Sequence, residues 1–364
     1  VRDNRALTLW PLGSRHPHVL SAGEGTLWSV AVDPRGRWVA AGGESEARAW
    51  LWPLRAELGA RAMTLDTGAP VYDLAASPRG DLLAAGTPRG VWLVPLDGRP
   101  PERLPGFEGV VRGLSFDPEG RRLAVGGVGV PFPPEKMIRV WDLETREVKV
   151  LDLGDGTPVG AAGFLPDGRL LAAGGGGLRL WDLATARSTL LLESVVGAWP
   201  EPSGRYLLGL RARLGPGGAV GTALVYDLET ANSLDLETHG GEVISGAWDP
   251  EGRFVVTGSR DGIVRVGPPT GEEPHLLIGH EGAVRGVEVD PQGRWIASAA
   301  EDGTVRLWPL PLEGQPLHTL PHQELLDRLR SLTNYREVRD TSAPSGYRLD
   351  FEPFQGWNRE PPTW

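Results

Sequence analysis

The stretch from Gly279 to Leu310, GHEGAVRGVEVDPQGRWIASAAEDGTVRLWPL, decides the fold of this chain. It contains three short apolar runs, Ala283 to Val289, Trp295 to Ala299 and Thr304 to Leu310, separated by Asp-Pro-Gln-Gly and by Glu-Asp-Gly. Runs rich in Val, Ile and Trp between Pro-Gly and Asp-Gly turns predict antiparallel strands. A three-stranded meander cannot bury both of its faces alone, so this unit must pack against further copies of itself.

The same unit recurs about every forty residues along the chain. Its most regular signal is a turn of the form x-Pro-x-Gly, in which proline presets the turn and glycine takes the positive φ. The seven turns begin at Asp33, Ser77, Asp117, Leu165, Glu201, Asp249 and Asp290. The units close on the pairs Trp52-Pro53, Val94-Pro95, Trp141-Asp142, Trp181-Asp182, Tyr226-Asp227, Gly267-Pro268 and Trp308-Pro309, of which Val94 and Gly267 depart from the aromatic pattern.

These repeats resemble the WD-repeat β-propeller family. The resemblance is carried by Gly279-His280, the Pro-Gly turns, Asp302-Gly303 and the Trp-Asp pairs at 141 and 181, and it covers roughly residues 1 to 320. It implies an all-β propeller in which each unit is one four-stranded blade, with strands a to d running from the axis outwards. We therefore expect a propeller domain over residues 1–321, followed by a tail over residues 322–364.

The number of blades depends on how the ring closes. We expect seven blades, from seven repeats between about residue 21 and residue 321, with residues 1–20 supplying a partial repeat and an outer strand. In that ring the strand near His18 to Ser21 competes with Leu317 to Leu320 for the outer place of the last blade. The alternative is an eighth blade, built from Ala6 to Leu20 and two strands of the C-terminal tail.

The tail is predicted to contain a helix and a hairpin. Residues 322–333 carry Leu325, Leu329 and Leu332 at helical spacing, which predicts an apolar stripe. The runs Tyr335 to Arg339 and Tyr347 to Phe351 alternate in polarity around a Ser/Pro/Gly loop, which predicts two paired strands. We expect this tail and its aromatic, proline-rich end to pack on the propeller, the alternative being a docking segment for another domain or chain.

The helix, hairpin and Gly-Trp ending also resemble a tail of bacterial multidomain WD-repeat proteins, some of which bear a serine/threonine kinase or NTPase domain. Residue 1 is Val rather than Met. Together these features lead us to expect the C-terminal part of a larger bacterial signalling protein.

Composition excludes several classes of function. The 364 residues include no Cys, which removes disulfides, thiolate chemistry and Cys-ligated zinc and fits a reducing, cytoplasmic location. A net charge of −10 argues against broad contact with a nucleic-acid backbone. No window of about 20 apolar residues could span a membrane.

A catalytic reading of the polar residues is weak. His280, Ser298 and Asp302 invite a Ser-His-Asp interpretation, but no G-x-S-x-G elbow accompanies them. The family resemblance implies instead a buried, structural hydrogen-bond chain that ends on Trp308. It implies a shorter version in the preceding repeat, formed by His239, Thr257 and Asp261, because Gly267 stands where the Trp would be. We expect no catalytic residue, no metal and no cofactor, and we interpret Gly174 to Gly177 as a tight turn rather than a phosphate loop.

A binding surface remains. The second residue of strand a, which the resemblance places near the channel mouth, is in chain order Trp28, Tyr72, Arg112, Gly160, Val196, Ile244 and Arg285. Trp, Tyr and Arg dominate binding hot spots, so Trp28, Tyr72, Arg112 and Arg285 are candidate partner contacts. Two long b–c loops, Val128 to Lys136 and Ala212 to Gly221, are expected on the same face, and Phe132 in the first is a fifth candidate.

The function expected from these features is a non-catalytic scaffold or sensor that binds a protein or peptide at the loop face, with an upstream domain of its own polypeptide as one candidate partner. One alternative is a structural or oligomerisation half of a tandem propeller. The other is an enzyme with its active site at the channel mouth, for which the strand-a series supplies no converging carboxylates or His.

Overall fold

The chain folds into seven four-stranded antiparallel sheets in a computed structural model. It divides into two compact units, one of residues Pro17–Pro311 and the other of Val1–His16 with Leu312–Trp364. The structure describes residues 18–22, 25–44, 47–54, 63–107, 109–129, 137–152, 159–174, 176–215, 218–240, 242–310, 321, 323–324, 336–339 and 347–350. None of the helices described there is long and apolar enough to cross a membrane.

Each sheet is a meander of consecutive strands, and we call it a blade. Blades one to three comprise β2 (Leu27–Val32), β3 (Trp38–Gly43), β4 (Arg48–Pro53), β5 (Met63–Asp66), β6 (Asp73–Ala76), β7 (Leu82–Thr87), β8 (Gly90–Pro95), β9 (Glu102–Arg103), β10 (Gly109–Phe116), β11 (Arg122–Gly129), β12 (Met137–Asp142) and β13 (Val148–Asp152). Blades four to six comprise β14 (Val159–Phe164), β15 (Leu170–Gly174), β16 (Gly177–Asp182), β17 (Arg187–Leu192), β18 (Val195–Pro200), β19 (Tyr206–Gly215), β20 (Gly218–Asp227), β21 (Ser233–Asp235), β22 (Val243–Trp248), β23 (Val255–Ser259), β24 (Ile263–Gly267) and β25 (His275–Ile278).

Blade seven joins the two ends of the ring. It contains β26 (Val284–Val289), β27 (Trp295–Ala300) and β28 (Thr304–Pro309), and its outer strand is β1 (His18–Ser21). Strand β1 pairs with β28 in antiparallel register, His18 opposite Leu307 and Ser21 opposite Thr304. The prediction of seven blades is therefore confirmed, and the eight-blade alternative, which needed residues up to Leu20 for another sheet, is wrong.

The hydrophobic core lies between neighbouring blades. The cluster that closes the ring joins Leu27, Val39 and Trp50 of blade one to Val305 and Leu307 of blade seven. Alternate residues of these strands face opposite sides of a sheet, and each side is covered by the next blade. Blades one to five each contribute to two such clusters of described residues, which is why one repeat has no independent core.

The turns between strands a and b carry a recurring ion pair. Asp33, Asp117, Asp249 and Asp290 each have a side chain no more than 2% exposed, and each pairs with an arginine four or five residues later at 2.6 to 2.8 Å. Two of these arginines also donate to a turn carbonyl of the next blade, Arg37 to Gly80 at 2.7 Å and Arg294 to Gly36 at 3.1 Å. At these two seams the arginine ties the turn to the neighbouring blade as well as to its own aspartate.

The structure corrects one predicted loop. The stretch from Ala212 to Gly221 is not a loop, because β19 and β20 continue through it as a paired hairpin with Ala212 opposite Gly221 and Gly215 opposite Gly218. The other predicted long loop, Val128 to Lys136, lies mostly outside the described residues. The tight turn at Gly174 to Gly177 is confirmed, since these two glycines pair at the end of β15 and β16.

The second unit contains a two-stranded sheet, β29 (Arg336–Arg339) with β30 (Tyr347–Asp350). These strands match the predicted hairpin. The helix predicted at residues 322–333 lies almost wholly outside the described residues and has no support: described helical structure is confined to a 3-10 turn, Glu237–His239, and to Gln323 and Glu324. The boundary at residue 321 and the packing of the tail stay predictions.

Candidate functional site

Each blade presents two sets of turns at opposite ends of the propeller. In an antiparallel meander the a–b and c–d turns lie at one end and the b–c and d–a turns at the other. The predicted contact residues follow the d–a turns, near the start of each inner strand. Five of the seven aligned residues are the second residue of their strand, whereas Tyr72 directly precedes β6 and Arg112 is the fourth residue of β10. They therefore lie at the b–c end, around the mouth of the central opening.

Two of these residues form a stacked pair. The rings of Trp28 and Tyr72, on blades one and two, have centroids 4.5 Å apart and planes 15° apart. Both side chains are half-buried, so one edge of the stack stays accessible. An aromatic pair of this geometry contributes roughly 0.5–1.5 kcal/mol beyond its buried area, which fixes the two rings as one rigid apolar platform.

Two arginines flank this platform, and they differ in how many of their hydrogen-bond donors already have a partner. Arg285, on blade seven, forms a salt bridge with Glu301 at 2.5 Å, and each side chain is 37% exposed. Arg112, on blade three, is exposed and makes no hydrogen bond or ion pair with any described residue. Arg112 therefore offers its full set of five donors to a partner, whereas Arg285 offers part of its set.

The four residues occupy a continuous arc, which we call the mouth arc: Arg285, Trp28, Tyr72 and Arg112 on blades seven, one, two and three. The corresponding residues of blades five and six, Val196 and Ile244, are half-buried and aliphatic. Blade four contributes Gly160. The candidate surface is thus confined to one side of the mouth. Phe132 lies outside the described residues.

A set of polar side chains below the mouth arc was missed in the sequence. Each inner strand has one edge that no strand of its own sheet covers, because it is the first strand in its sheet. Side chains of the preceding blade accept hydrogen bonds from these free amides: Ser29 from Leu74 N at 3.1 Å, Asp73 from Leu114 N at 2.7 Å, Ser115 from Phe164 N at 3.1 Å and Glu288 from Val32 N at 2.7 Å.

These contacts follow one geometric rule. The positions are counted so that Trp28, Tyr72 and Arg112 all stand at position two. Each of these four acceptors then stands at position three or five and accepts from the amide one position further along in the next blade. Ser245, at position three of blade six, donates instead to the Val284 carbonyl at 3.2 Å. Where blade four has Gly163 at the fifth position, blade five has Pro200, which has no amide to satisfy. A Cβ atom placed on Gly163 would lie 3.1 Å from Pro200 Cδ, so the two residues are in contact. One sequence signal could have revealed these acceptors: in strand a, where most residues are small or apolar, single Ser, Asp or Glu residues stand out.

Two of these acceptors are carboxylates with raised pKa values. Burial raises the pKa of Asp73 to about 6, although hydrogen bonds from Leu114 and Ser29 act in the opposite direction. Burial raises the pKa of Glu288 to about 8, and the nearby charges of Asp73 and Asp290 add to the effect. At neutral pH Glu288 is therefore mostly protonated while Asp73 is mostly ionised.

The predicted network of blade seven has the geometry of a continuous chain. His280 Nδ1 lies 2.9 Å from Asp302 Oδ2, His280 Nε2 lies 2.7 Å from Ser298 Oγ, and Trp308 Nε1 donates to the same Oγ at 2.9 Å. Burial raises the pKa of Asp302, but hydrogen bonds from His280 and Thr304 outweigh it and hold this pKa well below its usual range. The serine hydroxyl is buried between an imidazole and an indole, so it has no path to a substrate.

The corresponding group in blade six is different from the prediction. His239 Nδ1 lies 2.9 Å from Thr257 Oγ1, but Asp261 is not a partner of His239. Asp261 accepts instead from Ser259 at 2.7 Å and from Arg265 at 2.6 Å. Because Arg265 takes the turn aspartate, His239 Nε2 is buried without a hydrogen bond, and burial lowers the His239 pKa to about 4.

Within the described ranges, no three His, Asp or Glu side chains come together as a candidate metal site. The polar residues that do cluster there form hydrogen bonds that link strands within a blade or link neighbouring blades. What the b–c end offers chemically is an apolar platform with guanidinium groups on either side.

Comparison with known proteins gives the class to which this geometry corresponds. The family model "WD domain, G-beta repeat" matches residues 232–266 and 271–309, each an outer strand followed by the three inner strands of the next blade, so that they run from β21 of blade five through blade seven. The chain is 28% identical over 169 residues to the small ribosomal subunit protein RACK1 of Caenorhabditis elegans, covering 42% of this chain and 48% of that protein.

Two further relatives match over stretches of similar length. The chain is 33% identical over 148 residues to the WD repeat-containing protein SL1-17 of Schistosoma mansoni, covering 40% of this chain and 46% of that one. It is 31% identical over 133 residues to eukaryotic translation initiation factor 3 subunit I of Scheffersomyces stipitis, covering 32% and 37%. Each match spans less than half the length of the relative. Together with the seven blades, these matches support a WD-repeat protein.

Proposed function

We propose that this protein is a non-catalytic interaction module that holds a protein or peptide partner at the mouth arc. The observation that carries the proposal is the stacked pair of Trp28 and Tyr72 beside Arg112, which has no partner among the described residues. A rigid aromatic platform binds apolar side chains at low entropic cost, and a free guanidinium pairs with carboxylates in a bidentate geometry. The partner therefore presents an apolar or aromatic side chain next to an acidic one.

The WD-repeat relatives add general support for a binding role. A propeller of this class is a rigid scaffold, and the turns that connect its strands can differ from one protein to another. The finer setting belongs to the same proposal: a cytoplasmic, bacterial signalling protein, with an upstream domain as one possible partner. That setting is supported by the cysteine-free composition and by the resemblance of the tail. The named relatives are eukaryotic and do not bear on it.

The test uses peptides selected from a random phage library against the purified chain. Trp28→Ala combined with Arg285→Ala, and separately Arg112→Ala, is expected to weaken binding of the selected peptides at least about tenfold, because hot-spot truncations cost about 2 kcal/mol or more. Their thermal unfolding should change little, since all three side chains are at least partly exposed.

The matched control is Ile244→Ala combined with Val196→Ala, at the corresponding positions of blades six and five. These variants should bind the selected peptides as the original protein does. Equal binding by the mouth-arc variants and the control would exclude this surface as the site.

A further inference from the structure

The a–b end of the propeller contains a guanidinium position that two blades fill internally. In blade one, Arg37 lies between the Asp33 carboxylate, at 2.6 Å, and the Gly80 carbonyl of blade two, at 2.7 Å. In blade seven, Arg294 lies between the Asp290 carboxylate, at 2.7 Å, and the Gly36 carbonyl of blade one, at 3.1 Å. A carboxylate from one blade and a glycine carbonyl from the next thus define a site whose chemistry selects a planar, multidentate cation.

Blade five has the acid of this site without its arginine. Glu201 takes the place of the aspartate, and it is 7% exposed. Its described side-chain partner is the hydroxyl of Ser203. The arginine four residues later, Arg205, is turned away: it pairs with Asp227 at 3.1 Å and with Glu229 at 3.4 Å. A buried carboxylate is costly unless a donor or cation compensates it, so Glu201 is under-compensated relative to its four counterparts.

The second acceptor is also present. Glu201 Oε1 faces Gly252 of blade six, so closely that a Cβ on Gly252 would lie 2.5 Å from it. The backbone of Gly252 has φ +70°, close to +68° at Gly80 and +61° at Gly36, the two glycines that accept from arginine. No described residue donates to the Gly252 carbonyl. A carboxylate beside a glycine of the next blade, as at Arg37 and Arg294, is therefore present between blades five and six. At Gly80 and Gly36 the nearest side-chain atom is the arginine Nη2, whereas at Gly252 it is the carboxylate oxygen of Glu201.

A cavity of about 290 Å³, open to solvent and mostly apolar in its lining, adjoins Glu201 on the side of blade four. Its walls combine phenylalanine rings with prolines from the turns of blades three, four and five, and Glu201 itself is part of the lining. The lining residues are Phe116, Pro118, Phe164, Pro166, Pro200, Glu201 and Pro202. In blade four the turn begins with Leu165 where five of the other six blades have an acid, so no ion pair of this kind closes this part of the surface. The cavity has the volume for an apolar side chain.

We propose that Glu201 and the Gly252 carbonyl bind an arginine side chain of a partner protein, whose apolar neighbour in sequence enters the Phe/Pro cavity. The charge is complementary, since the site offers a carboxylate and a carbonyl and the whole chain carries a net charge of −10. This surface lies at the opposite end of the blades from the mouth arc. It is therefore independent of the function proposed above, and the two can fail separately.

The probe is a pair of blocked pentapeptides, acetyl-Gly-Leu-Arg-Leu-Gly-amide and the same peptide with citrulline in place of arginine. Citrulline keeps the shape of arginine and loses its charge. Isothermal titration at low salt should show the arginine peptide binding at least about tenfold more tightly, because hydrogen bonds to charged groups are the stronger kind. Glu201→Gln should remove that preference.

Two further variants sharpen the test. Asp167→Asn neutralises an exposed acid of the neighbouring turn, which pairs with Arg169, and it should leave binding within twofold of the original. Asp227→Asn combined with Glu229→Gln frees Arg205 to occupy Glu201 internally, so this variant should bind the peptide several-fold more weakly. It keeps Glu201 itself, so it tests the proposal even if Glu201→Gln does not fold.

Three results would overturn the proposal. They are the absence of detectable binding at millimolar peptide, equal affinity for the arginine and citrulline peptides, and unchanged affinity in both the Glu201→Gln and the Asp227/Glu229 variants. Self-association of the chain that Glu201→Gln abolishes, measured by sedimentation velocity, would assign the position to a second copy and contradict the proposed partner.

Discussion

At the scale of single residues, the same side chain serves different purposes in different blades. Ser298 accepts and donates within a complete chain in blade seven, whereas Thr257 at the corresponding place in blade six meets only His239. Two residues of blade six cause the difference. Gly267 stands where blade seven has Trp308, so no indole is available, and Arg265 pairs with Asp261, the turn aspartate. Buried polar groups are satisfied locally, so the identity of the neighbours decides the network more than the repeat pattern does.

Glu288 gives a residue-scale prediction about pH. Its pKa is about 8 in the folded protein and 4.5 in its unperturbed state. A carboxyl whose folded pKa is raised stabilises the protein fully below its unfolded pKa and loses this contribution as pH rises through the folded pKa. Between pH 6 and 8 the folded state holds one more proton than the unfolded state, so stability should fall by up to about 1.4 kcal/mol per pH unit.

Glu288→Gln removes this proton and keeps an oxygen that can accept from Val32 N. The stability difference between Glu288→Gln and the original protein, from urea unfolding, should therefore grow in favour of the variant from pH 6 to pH 8. Asp73, with a pKa of about 6, and His239, with a pKa of about 4, are present in both proteins, so their titration contributes to both stability curves. A difference that stays constant across the window would contradict the raised pKa of Glu288.

At the scale of elements, β1 is the strand that closes the ring. It is short, and it is separated in the chain from the sheet that it completes, yet it covers the outer edge of β28. Leu20 packs on the core cluster between blades seven and one, while Val19 points to the other side and is 51% exposed. Four residues thus hold the two ends of the ring together.

Leu20→Asp should destabilise the protein by about 2 kcal/mol or more, because it exchanges packed apolar surface for a charge at the seam. Val19→Asp, one residue away and facing outward, should cost less than about 0.5 kcal/mol. Urea unfolding of both variants is the measurement. Equal losses of stability would mean that β1 does not close the ring through its inner face.

Much of the element scale could be predicted from the sequence. The x-Pro-x-Gly turns and the apolar runs located the inner three strands of each blade, and the alternation of Tyr347 to Phe351 located a strand of the second unit. The hairpin of β19 and β20 was interpreted as a loop because its glycines suggested a break rather than a turn between paired strands. The choice between His18 to Ser21 and Leu317 to Leu320 could not be made either, since strand partners far apart in sequence leave no local signal.

The candidate site was predictable in position but not in its contacts. Aligning the repeats placed Trp28, Tyr72, Arg112 and Arg285 at one end of the blades. It could not give the stacking of Trp28 on Tyr72 or the pairing of Arg285 with Glu301, because these depend on distances between blades. The amide acceptors Asp73 and Glu288 were missed for the same reason.

At the scale of the whole molecule, the blades differ in how many buried polar contacts hold them. Blade seven has a complete polar chain, the Asp290–Arg294 pair and the Glu288 contact to blade one. Blade four has Leu165 in place of the turn acid, and the indole nitrogen of Trp181 is buried there without a hydrogen bond. Regions with fewer satisfied polar groups open more easily.

Hydrogen exchange should therefore be slower in β27 and β28 than in β15 and β16. The comparison is made by mass spectrometry on the intact chain under native conditions, with protection factors for matched strands b and c. Faster exchange in blade seven than in blade four would show that apolar packing, and not these polar contacts, sets local stability.

The amide acceptors along the inner strands have a consequence for how such a ring can be recombined. Four blades accept from an amide of the blade that follows, and the contacts differ from seam to seam: Ser29 to Leu74, Asp73 to Leu114, Ser115 to Phe164 and Glu288 to Val32, with Gly163 against Pro200 at a fifth seam and Ser245 donating to the Val284 carbonyl at a sixth. The seams are therefore directional and not interchangeable. A duplicated or transplanted blade leaves neighbouring amides without an acceptor unless the residues on both sides of its two contacts move with it. The smallest unit that this propeller could exchange is therefore a seam, meaning the contact between two neighbouring blades, and not a single blade.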